Sequence, residues 1–169
     1  MTAYILLIVA VAAERLAEMV VSARHARWAF ERGGVEYGQA HFPVMVSMHA
    51  ALLAACVVEV VAADRPFLPW LGWPMLAVVL AAQALRWWCI ATLGSQWNTR
   101  VIVVPGLPLV SAGPYRWLRH PNYLAVALEV AALPLVHTAW LTAALFTVAN
   151  AAVLSVRIRV EEQALATVR

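Results

Sequence analysis

The sequence has no lysine and little charge of either sign. Only 12% of its 169 residues are charged, whereas 64% are hydrophobic. Soluble domains carry about 25% charged residues, so this composition excludes an ordinary soluble domain and predicts an integral membrane protein embedded in the lipid bilayer. The formal net charge of +3 is carried by arginine alone. No stripe of alternating basic and aromatic residues accompanies it, so we expect no nucleic-acid partner.

Cysteine is nearly as scarce as charge. Cys56 and Cys89 each lie within an apolar stretch, and they form neither a CxxC motif nor a Cys/His cluster. Free thiols that pack as small hydrophobic side chains are expected at both positions. The sequence therefore predicts no metal site.

Five apolar segments predict an all-α integral membrane protein of one domain, with about five transmembrane helices. They cover residues 2–22, 43–63, 73–93, 121–136 and 139–156. The first segment has no preceding basic region and is followed directly by Glu14, Arg15 and Glu18, so we expect a retained span and not a cleaved signal peptide. The last two segments are short and are separated by Pro134 and His137, which predicts a tight helical hairpin.

The placement of arginine predicts the orientation in the membrane. With five spans, nine arginines fall on one side and only Arg65 falls in a loop on the other. Such asymmetry is typical of the cytoplasmic side. We therefore expect the N-terminus outside and the C-terminus cytoplasmic, in a bacterial inner membrane. The nine are Arg24, Arg27, Arg32, Arg100, Arg116, Arg119, Arg157, Arg159 and Arg169.

Two polar stretches connect the predicted spans on the arginine-rich side. Residues 23–43 mix charge, aromatic residues and glycine, which predicts a helix lying in the membrane interface followed by a loop. Residues 94–120 contain the β-branched run "RVIVV" and the turn signal "PGLP", which predict a small extended hairpin. A loop this long in a compact domain is usually functional or disordered, and its apolar content argues against disorder.

The segment "GPYRWLRHPNY" (residues 113–123) is the most polar part of this loop. Pro121 is suited to the first position of a helix, with His120 as its cap. A helix N-terminus there would favour an anionic group. A membrane-interface anchor, with Trp117 and Tyr123 in an aromatic belt and arginines reaching lipid phosphates, explains the same residues.

Further charges follow or interrupt the apolar segments. In "RIRVEEQAL" (residues 157–165), Arg157 and Glu161 are four apart and share a helix face, so they could pair; a solvated juxtamembrane helix is the alternative. Glu18, Arg86 and Glu129 lie within predicted spans. Such groups either line a cavity or pair with one another, for instance Arg86 with Glu129.

Taken together, "SQWN" (residues 95–98), "GPYRWLRHPNY" and "RIRVEE" resemble the isoprenylcysteine carboxyl methyltransferase family. The resemblance covers mainly residues 94–165. It implies a small polytopic membrane enzyme with a cytoplasmic pocket for S-adenosylmethionine, built from the loop, hairpin and C-terminal helix of residues 94–169, with the three spans of residues 1–93 before it. The implied cofactor-binding residues are Asn98, Tyr115, His120, Pro121, Tyr123, Glu161 and Glu162.

The same resemblance implies residues that act on the methyl acceptor. Arg157 and Arg119 are expected to hold a carboxylate or an anionic substrate oxygen. Four polar residues inside the predicted spans are expected near the substrate head: Arg86, Glu129, His49 and Asn150. Arg86 and Glu129 are expected to be catalytic. For His49, the alternative is a hydrogen-bonded histidine in the core.

The acceptor itself is predicted from the stretches "ERLAE", "HFPVM…H" and "RHPNYLAVALE". They resemble a bacterial branch of the family associated with O-methylation of alkylpyrones and alkylresorcinols, so a type III polyketide synthase is a possible partner supplying this lipophilic substrate. The aromatic and acidic tail of the eukaryotic prenylcysteine enzymes is not matched. Carboxyl methylation of an isoprenylcysteine-like substrate, an NADPH-dependent sterol-reductase-type activity, and a non-enzymatic subunit or haem carrier using His41 and His49 remain alternatives.

Overall fold

The computed structural model describes residues 1–166, except for the side chain of His41. Arg169, assigned above to the cytoplasmic tail, lies outside the described residues. The described chain is mostly helical, with two short strands and two short 3-10 turns at Gly94–Gln96 and Gly113–Arg116. Its elements are α1 (Thr2–Phe30), β1 (Val35–Tyr37), α2 (His41–Ala62), α3 (Pro69–Leu93), β2 (Val101–Val103), α4 (Pro121–Leu135) and α5 (Trp140–Ala166).

Three helices of the described chain are long and apolar enough to cross a bilayer. They are Phe42–Ala62, Pro69–Gln96 and Trp140–Ala166. The 15 residues of α4 rise only about 22 Å, less than the roughly 30 Å of a hydrocarbon core. The middle of α1 carries three charged side chains between positions 14 and 18. The prediction of five spans is therefore not confirmed.

The helices pack around one apolar core. α1 contributes Tyr4 and Ile8, α2 contributes Cys56, and α4 contributes Val130 and Leu133. The hydroxyl of Tyr4 donates to the carbonyl of Leu133 over 3.1 Å, which ties the start of α1 to the end of α4. Both cysteines are free and buried, as the sequence predicted.

The strand pairing differs from the prediction. β2 does form in the "RVIVV" stretch, but it pairs antiparallel with β1, in the register Val35↔Val103 and Tyr37↔Val101. The extended hairpin predicted within residues 94–120 is therefore wrong. The separate interfacial helix predicted after residue 23 is also wrong, because α1 continues without a break to Phe30. The two connecting stretches form a joint two-stranded platform at one end of the bundle.

The same end brings the start of α4 beside the last turns of α5. His120 is the N-cap of α4 and Pro121 is its first residue, where a missing N–H has no cost. The stretch "RIRVEE" is not a separate helix, because α5 runs unbroken through it. α4 and α5 are joined by the short connection of residues 136–139 and pack side by side.

Candidate active site

A cavity of about 470 Å³, lined by both polar and apolar side chains, lies at this end between the loop of residues 95–111, the first turn of α4 and the last turns of α5. It is lined by almost all the residues predicted to bind the cofactor. Pro121 is the exception, because it is buried as the first residue of α4. Arg119 and Arg157 also line this first cavity. The predicted residues that line it are Asn98, Tyr115, His120, Tyr123, Glu161 and Glu162.

Tyr123 is the centre of the polar contacts. Its hydroxyl donates to Glu161 and accepts a hydrogen bond of 2.9 Å from Nε of Arg157. Its ring stacks on His120, with centroids 5.4 Å apart and planes at 24°. The sequence indicated a possible pair between Arg157 and Glu161; in the structure both side chains instead hold the Tyr123 hydroxyl. The turn before α4 and the acidic stretch of α5 therefore meet in one site.

His120 faces both acidic residues of α5. Its Nδ1 lies 3.5 Å from Glu161 and its Nε2 lies 3.4 Å from Glu162. Hydrogen bonding to Glu161 raises the pKa of His120 above its ordinary value, against the lowering effect of burial. The pair of carboxylates thus favours the protonated imidazole, and this wall of the cavity carries mixed charge.

Asn98 anchors the loop that forms another wall. Its Oδ1 accepts from the hydroxyl of Ser22 over 2.8 Å and from the backbone N–H of Arg100 over 2.9 Å. Its Nδ2 donates to the carbonyl of Ser22 over 3.1 Å. These bonds fasten the loop to α1, so the side chain positions the cavity wall; cofactor contact by Asn98 stays a prediction.

A second cavity, of about 310 Å³, adjoins the first and is mostly apolar. Its walls come from all five helices and from Trp97 and Thr99 of the loop, and the exposed side chains of Leu16 and Met19 lie at its rim. The predicted substrate contacts Arg86 and His49 line it, whereas Glu129 and Asn150 line neither cavity. A substrate contact by Asn150 stays a prediction. Its side chain is buried elsewhere in α5.

Four residues line both cavities, and they mark the junction: Trp97, Asn122, Tyr123 and Arg157. Two of them present buried polar atoms, Nε1 of Trp97 and Oδ1 of Asn122, that have no hydrogen-bond partner among residues 1–166. The sequence analysis assigned no role to either side chain. Both lie inside the quoted motifs, but only the fold shows that they face the junction.

A buried ionic cluster lies beside the second cavity. Arg86 contacts Glu129 over 3.0 Å and Glu18 over 3.5 Å, and Arg15 contacts Glu129 over 3.1 Å and Glu18 over 2.7 Å. The pairing of Arg86 with Glu129, left open by the sequence, is thus present. Glu129 was predicted to be catalytic, but it lines neither cavity, because it lies behind the two arginines.

The haem alternative depended on two histidines of α2. The side chain of His41 lies outside the described residues, and Nδ1 of His49 lies 2.8 Å from the carbonyl of Met45. Among the residues that the structure describes, no group of three or more histidine, cysteine or acidic side chains is arranged to hold a metal ion.

The residues of this site fall within a match to a known family. Residues 75–167 match the model of the "Isoprenylcysteine carboxyl methyltransferase (ICMT) family", which is more than half of the chain. The chain belongs to this family. The match spans most of α3 and all of α4 and α5, and with them the junction of the two cavities. Family membership and the apolar helices indicate a membrane methyltransferase, and the reductase alternative is not favoured.

Two relatives extend the similarity to nearly the whole chain. The chain is 41% identical over 161 residues to "Uncharacterized protein YpbQ" of Bacillus subtilis (strain 168), covering 95% of both chains. It is 26% identical over 154 residues to an "Uncharacterized protein" of Haemophilus influenzae, covering 89% of this chain and 88% of the relative. The sequence similarity to these two relatives thus extends beyond residues 75–167 into the first part of the chain.

Proposed function

We propose that this ICMT-family protein transfers a methyl group from S-adenosylmethionine to an acidic hydroxyl of a lipophilic acceptor, such as an alkylpyrone or alkylresorcinol. The observation that carries the proposal is the junction: a cavity lined by charged and polar as well as apolar side chains meets a more apolar cavity at Tyr123 and Arg157. Methyl transfer between a water-soluble donor and a lipid needs two such compartments with a shared wall, because positioning the reactants supplies most of the rate enhancement.

The first cavity suits the proposed cofactor in size and chemistry. Its volume of about 470 Å³ lies within the roughly 300–1,000 Å³ typical of small-ligand pockets. The carboxylates of Glu161 and Glu162 would accept hydrogen bonds from ribose hydroxyls or amino groups. The unpartnered N–H of Trp97 and Oδ1 of Asn122 offer a donor and an acceptor to a bound molecule. The cofactor would supply an electrophilic methyl group on a positively charged sulfur.

Arg157 is the group proposed to hold the acceptor oxygen. Arg157 is 4% exposed. Its guanidinium donates one hydrogen bond to the hydroxyl of Tyr123 and another, of 3.3 Å, to Sδ of Met45. No carboxylate forms a direct ion pair with it within the described chain, and Glu161 is linked to it only through the hydroxyl of Tyr123. A buried guanidinium without a direct ion pair is costly, and an ionised acceptor would supply that pair. The hydroxyl of an alkylpyrone is ionised near neutral pH and needs no general base. The hydroxyl of an alkylresorcinol would have to lose its proton as the methyl group is transferred, and the carboxylate of Glu161, which accepts from the hydroxyl of Tyr123, would take that proton.

The arginines support a cytoplasmic position for the cofactor cavity. The end of the bundle that holds it carries most of the basic residues of the described chain, whereas Arg65 lies between α2 and α3 at the other end. By the positive-inside rule, the cavity end would face the cytoplasm. S-adenosylmethionine is made there, so donor and site would share one compartment. A polyketide synthase remains the proposed supplier of the acceptor.

Binding of S-adenosylhomocysteine tests the cofactor site. We expect calorimetry on the purified protein to detect binding, and His120→Ala to weaken it at least about tenfold, because the imidazole orders both carboxylates of α5. His137→Ala is the matched control, since His137 flanks the other end of α4 and lines neither cavity. Equal affinity in a folded His120→Ala protein would refute the site assignment.

The acceptor class needs a separate assay. Vesicles containing the protein and labelled S-adenosylmethionine are supplied with an alkylpyrone, an alkylresorcinol or an N-acetyl farnesylcysteine, and labelled lipid is measured. We expect the label on the first two. Label on the farnesylcysteine alone would favour carboxyl methylation, the second candidate, which is the activity that gives the family its name.

A further inference from the structure

The ionic cluster of Arg15, Glu18, Arg86 and Glu129 is not used by the function proposed above. Three helices contribute to it: α1, α3 and α4. The side chains of Glu18, Arg86 and Glu129 are only 4–6% exposed. Ionisable groups at such depth in a membrane protein are costly and usually mark a pathway or a binding site. A structural cross-link between helices is the competing explanation.

The hydrogen bonding of the cluster argues against a purely structural role. Nε of Arg15, Oε1 of Glu18 and Nε of Arg86 are buried and have no hydrogen-bond partner within residues 1–166. Arg86 Nε and Glu18 Oε1 face each other at 3.5 Å, an ion-pair distance without hydrogen-bond geometry. A buried polar network stabilises a fold when every polar group in it has a hydrogen-bond partner. When some groups lack partners, apolar side chains in the same place give a fold that is at least as stable. This cluster retains unused bonding capacity.

The side chains with these unpaired atoms lie beside the second cavity. Arg15, Glu18 and Arg86 all line it, among otherwise largely apolar walls. The cluster is therefore the main polar feature available to a lipid that enters past Leu16 and Met19. Arg15 also contacts Glu14, over 3.6 Å, so two arginines face three carboxylates. Such a cluster favours a neutral group that both donates and accepts hydrogen bonds, because an anion would meet the carboxylates and a cation would meet the two arginines.

The junction and the ionic cluster border the same cavity. Arg157, Glu18 and Arg86 all line the second cavity, whose volume is about 310 Å³. An acceptor in this cavity with its reacting oxygen at Arg157 would therefore present a second polar group on the same ring towards Glu18 and Arg86.

We infer that this cluster is a second recognition site for the acceptor, which binds a neutral hydroxyl on its head group. The inference rests on the proposed function and narrows it. The acceptor would carry two oxygen substituents on one planar ring, the first at Arg157 for methylation and the second at Glu18 and Arg86. The hydroxyl would donate to the carboxylate of Glu18 and accept from the guanidinium of Arg86.

Two matched lipids test this inference without any substitution. Nanodiscs containing the protein and S-adenosylhomocysteine are loaded at equal mole fraction with 5-pentadecylresorcinol or 3-pentadecylphenol, which differ by one hydroxyl, and the apparent affinity is measured from the shift of the thermal unfolding midpoint. We expect the resorcinol to bind at least about tenfold more tightly, since a site built for a hydroxyl discriminates strongly against its absence. Equal binding would overturn the inference.

Substitutions then locate the preference. Glu18→Leu should abolish it, and the double variant Arg15→Met with Glu18→Leu removes an oppositely charged pair, so that it folds if the single variant does not. Glu31→Gln is the control, because Glu31 directly follows the same helix, contacts Arg32 at the surface over 3.9 Å and lines neither cavity. A preference that survives in the folded double variant contradicts the inference. In the wild type, binding of S-adenosylhomocysteine without any preference between the two lipids contradicts this inference alone, whereas loss of both contradicts the proposed function.

Discussion

The two ends of the bundle use buried carboxylates in opposite ways. At the end near the α4–α5 connection, which we call the closed end, Glu59 accepts from the side chain of Arg65 and from the backbone N–H groups of Leu141 and Thr142, over 3.1, 3.2 and 2.7 Å. Both oxygens are used, and the carboxylate caps the start of α5. At the cavity end, Glu18 retains an oxygen without a hydrogen bond.

The difference separates structural carboxylates from those available to a ligand. A carboxylate that accepts from several backbone N–H groups at a helix N-terminus stabilises the fold. A buried carboxylate oxygen without a hydrogen bond beside a cavity stabilises the fold less than a fully bonded one, and under the inference above a bound hydroxyl would complete it. Substitutions at the two ends should therefore affect different measurements.

The largest effect is expected at the junction. Arg157→Leu removes the proposed partner of the acceptor oxygen and should lower methyl transfer about 100-fold, comparable to the loss of one donor to a reacting oxyanion. Labelled methyl incorporation into the lipid measures it. Arg159→Leu, two residues away on the exposed side of α5, should retain most activity. Similar losses in both variants would show that the effect is not specific to the junction.

The next effect concerns the turn that precedes α4. Gly113 has φ +53°, and a Cβ added there would lie 2.5 Å from Oγ1 of Thr92. Gly113→Ala should lower stability by about 1–3 kcal/mol and weaken binding of S-adenosylhomocysteine, because His120 and Tyr123 follow this turn.

Gly106→Ala separates the two causes, backbone strain and steric contact. Gly106 also has positive φ, +81°, but a Cβ there meets nothing within 4 Å. Chemical denaturation combined with calorimetry should show strain alone in this variant. If both alanines lowered stability equally, the close contact with Thr92 would add nothing to the cost of the Gly113 substitution.

A smaller effect is expected at the closed end. Glu59→Gln should lower the free energy of unfolding by about 0.5–2 kcal/mol, since the cap of α5 loses its charge. The affinity for S-adenosylhomocysteine should stay unchanged. A thermal-unfolding series with and without that ligand measures both quantities. Weakened ligand binding would mean that the two ends are not independent.

The smallest effect is the pH dependence at His120. Its pKa is raised in the folded protein by Glu161, so the protonated imidazole stabilises the fold fully below the unfolded pKa of about 6.5. This contribution is lost as the pH rises through the folded pKa. We expect the difference in unfolding midpoint between the wild type and His120→Gln to shrink from pH 6 to pH 9. A difference that grows from pH 6 to pH 9 would contradict the predicted rise of the His120 pKa on folding.

Local signals in the sequence were sufficient for the helices and the start of α4. Pro121 after a capping residue defines a helix start without knowledge of the rest of the fold, and all five apolar segments are helical. The pairing of β1 with β2 could not be predicted in this way. Val35 and Val103 are far apart in sequence, and a three-residue strand carries no local signal for its partner.

From the sequence, only the residues within the quoted motifs could be assigned to the site. The motifs indicated that Tyr123 and Glu161 belong to one site, but the bond from Arg157 to Tyr123, in place of a bond to Glu161, depends on how α4 and α5 are rotated. Arg15 escaped prediction for the same reason. Its partner Glu129 is on another helix, and only the packing of α1 against α3 and α4 brings them within 3.1 Å.

The unbroken course of α5 has a mechanical consequence. The residues from Trp140 to Arg157 form one rod of about 26 Å, with no hinge between the lipid-embedded turns and those that hold Tyr123. A tilt of that rod, which bilayer thickness helps to set, must displace the guanidinium of Arg157 together with the embedded part. The lipid around the helix therefore becomes a determinant of geometry at the point where donor and acceptor meet.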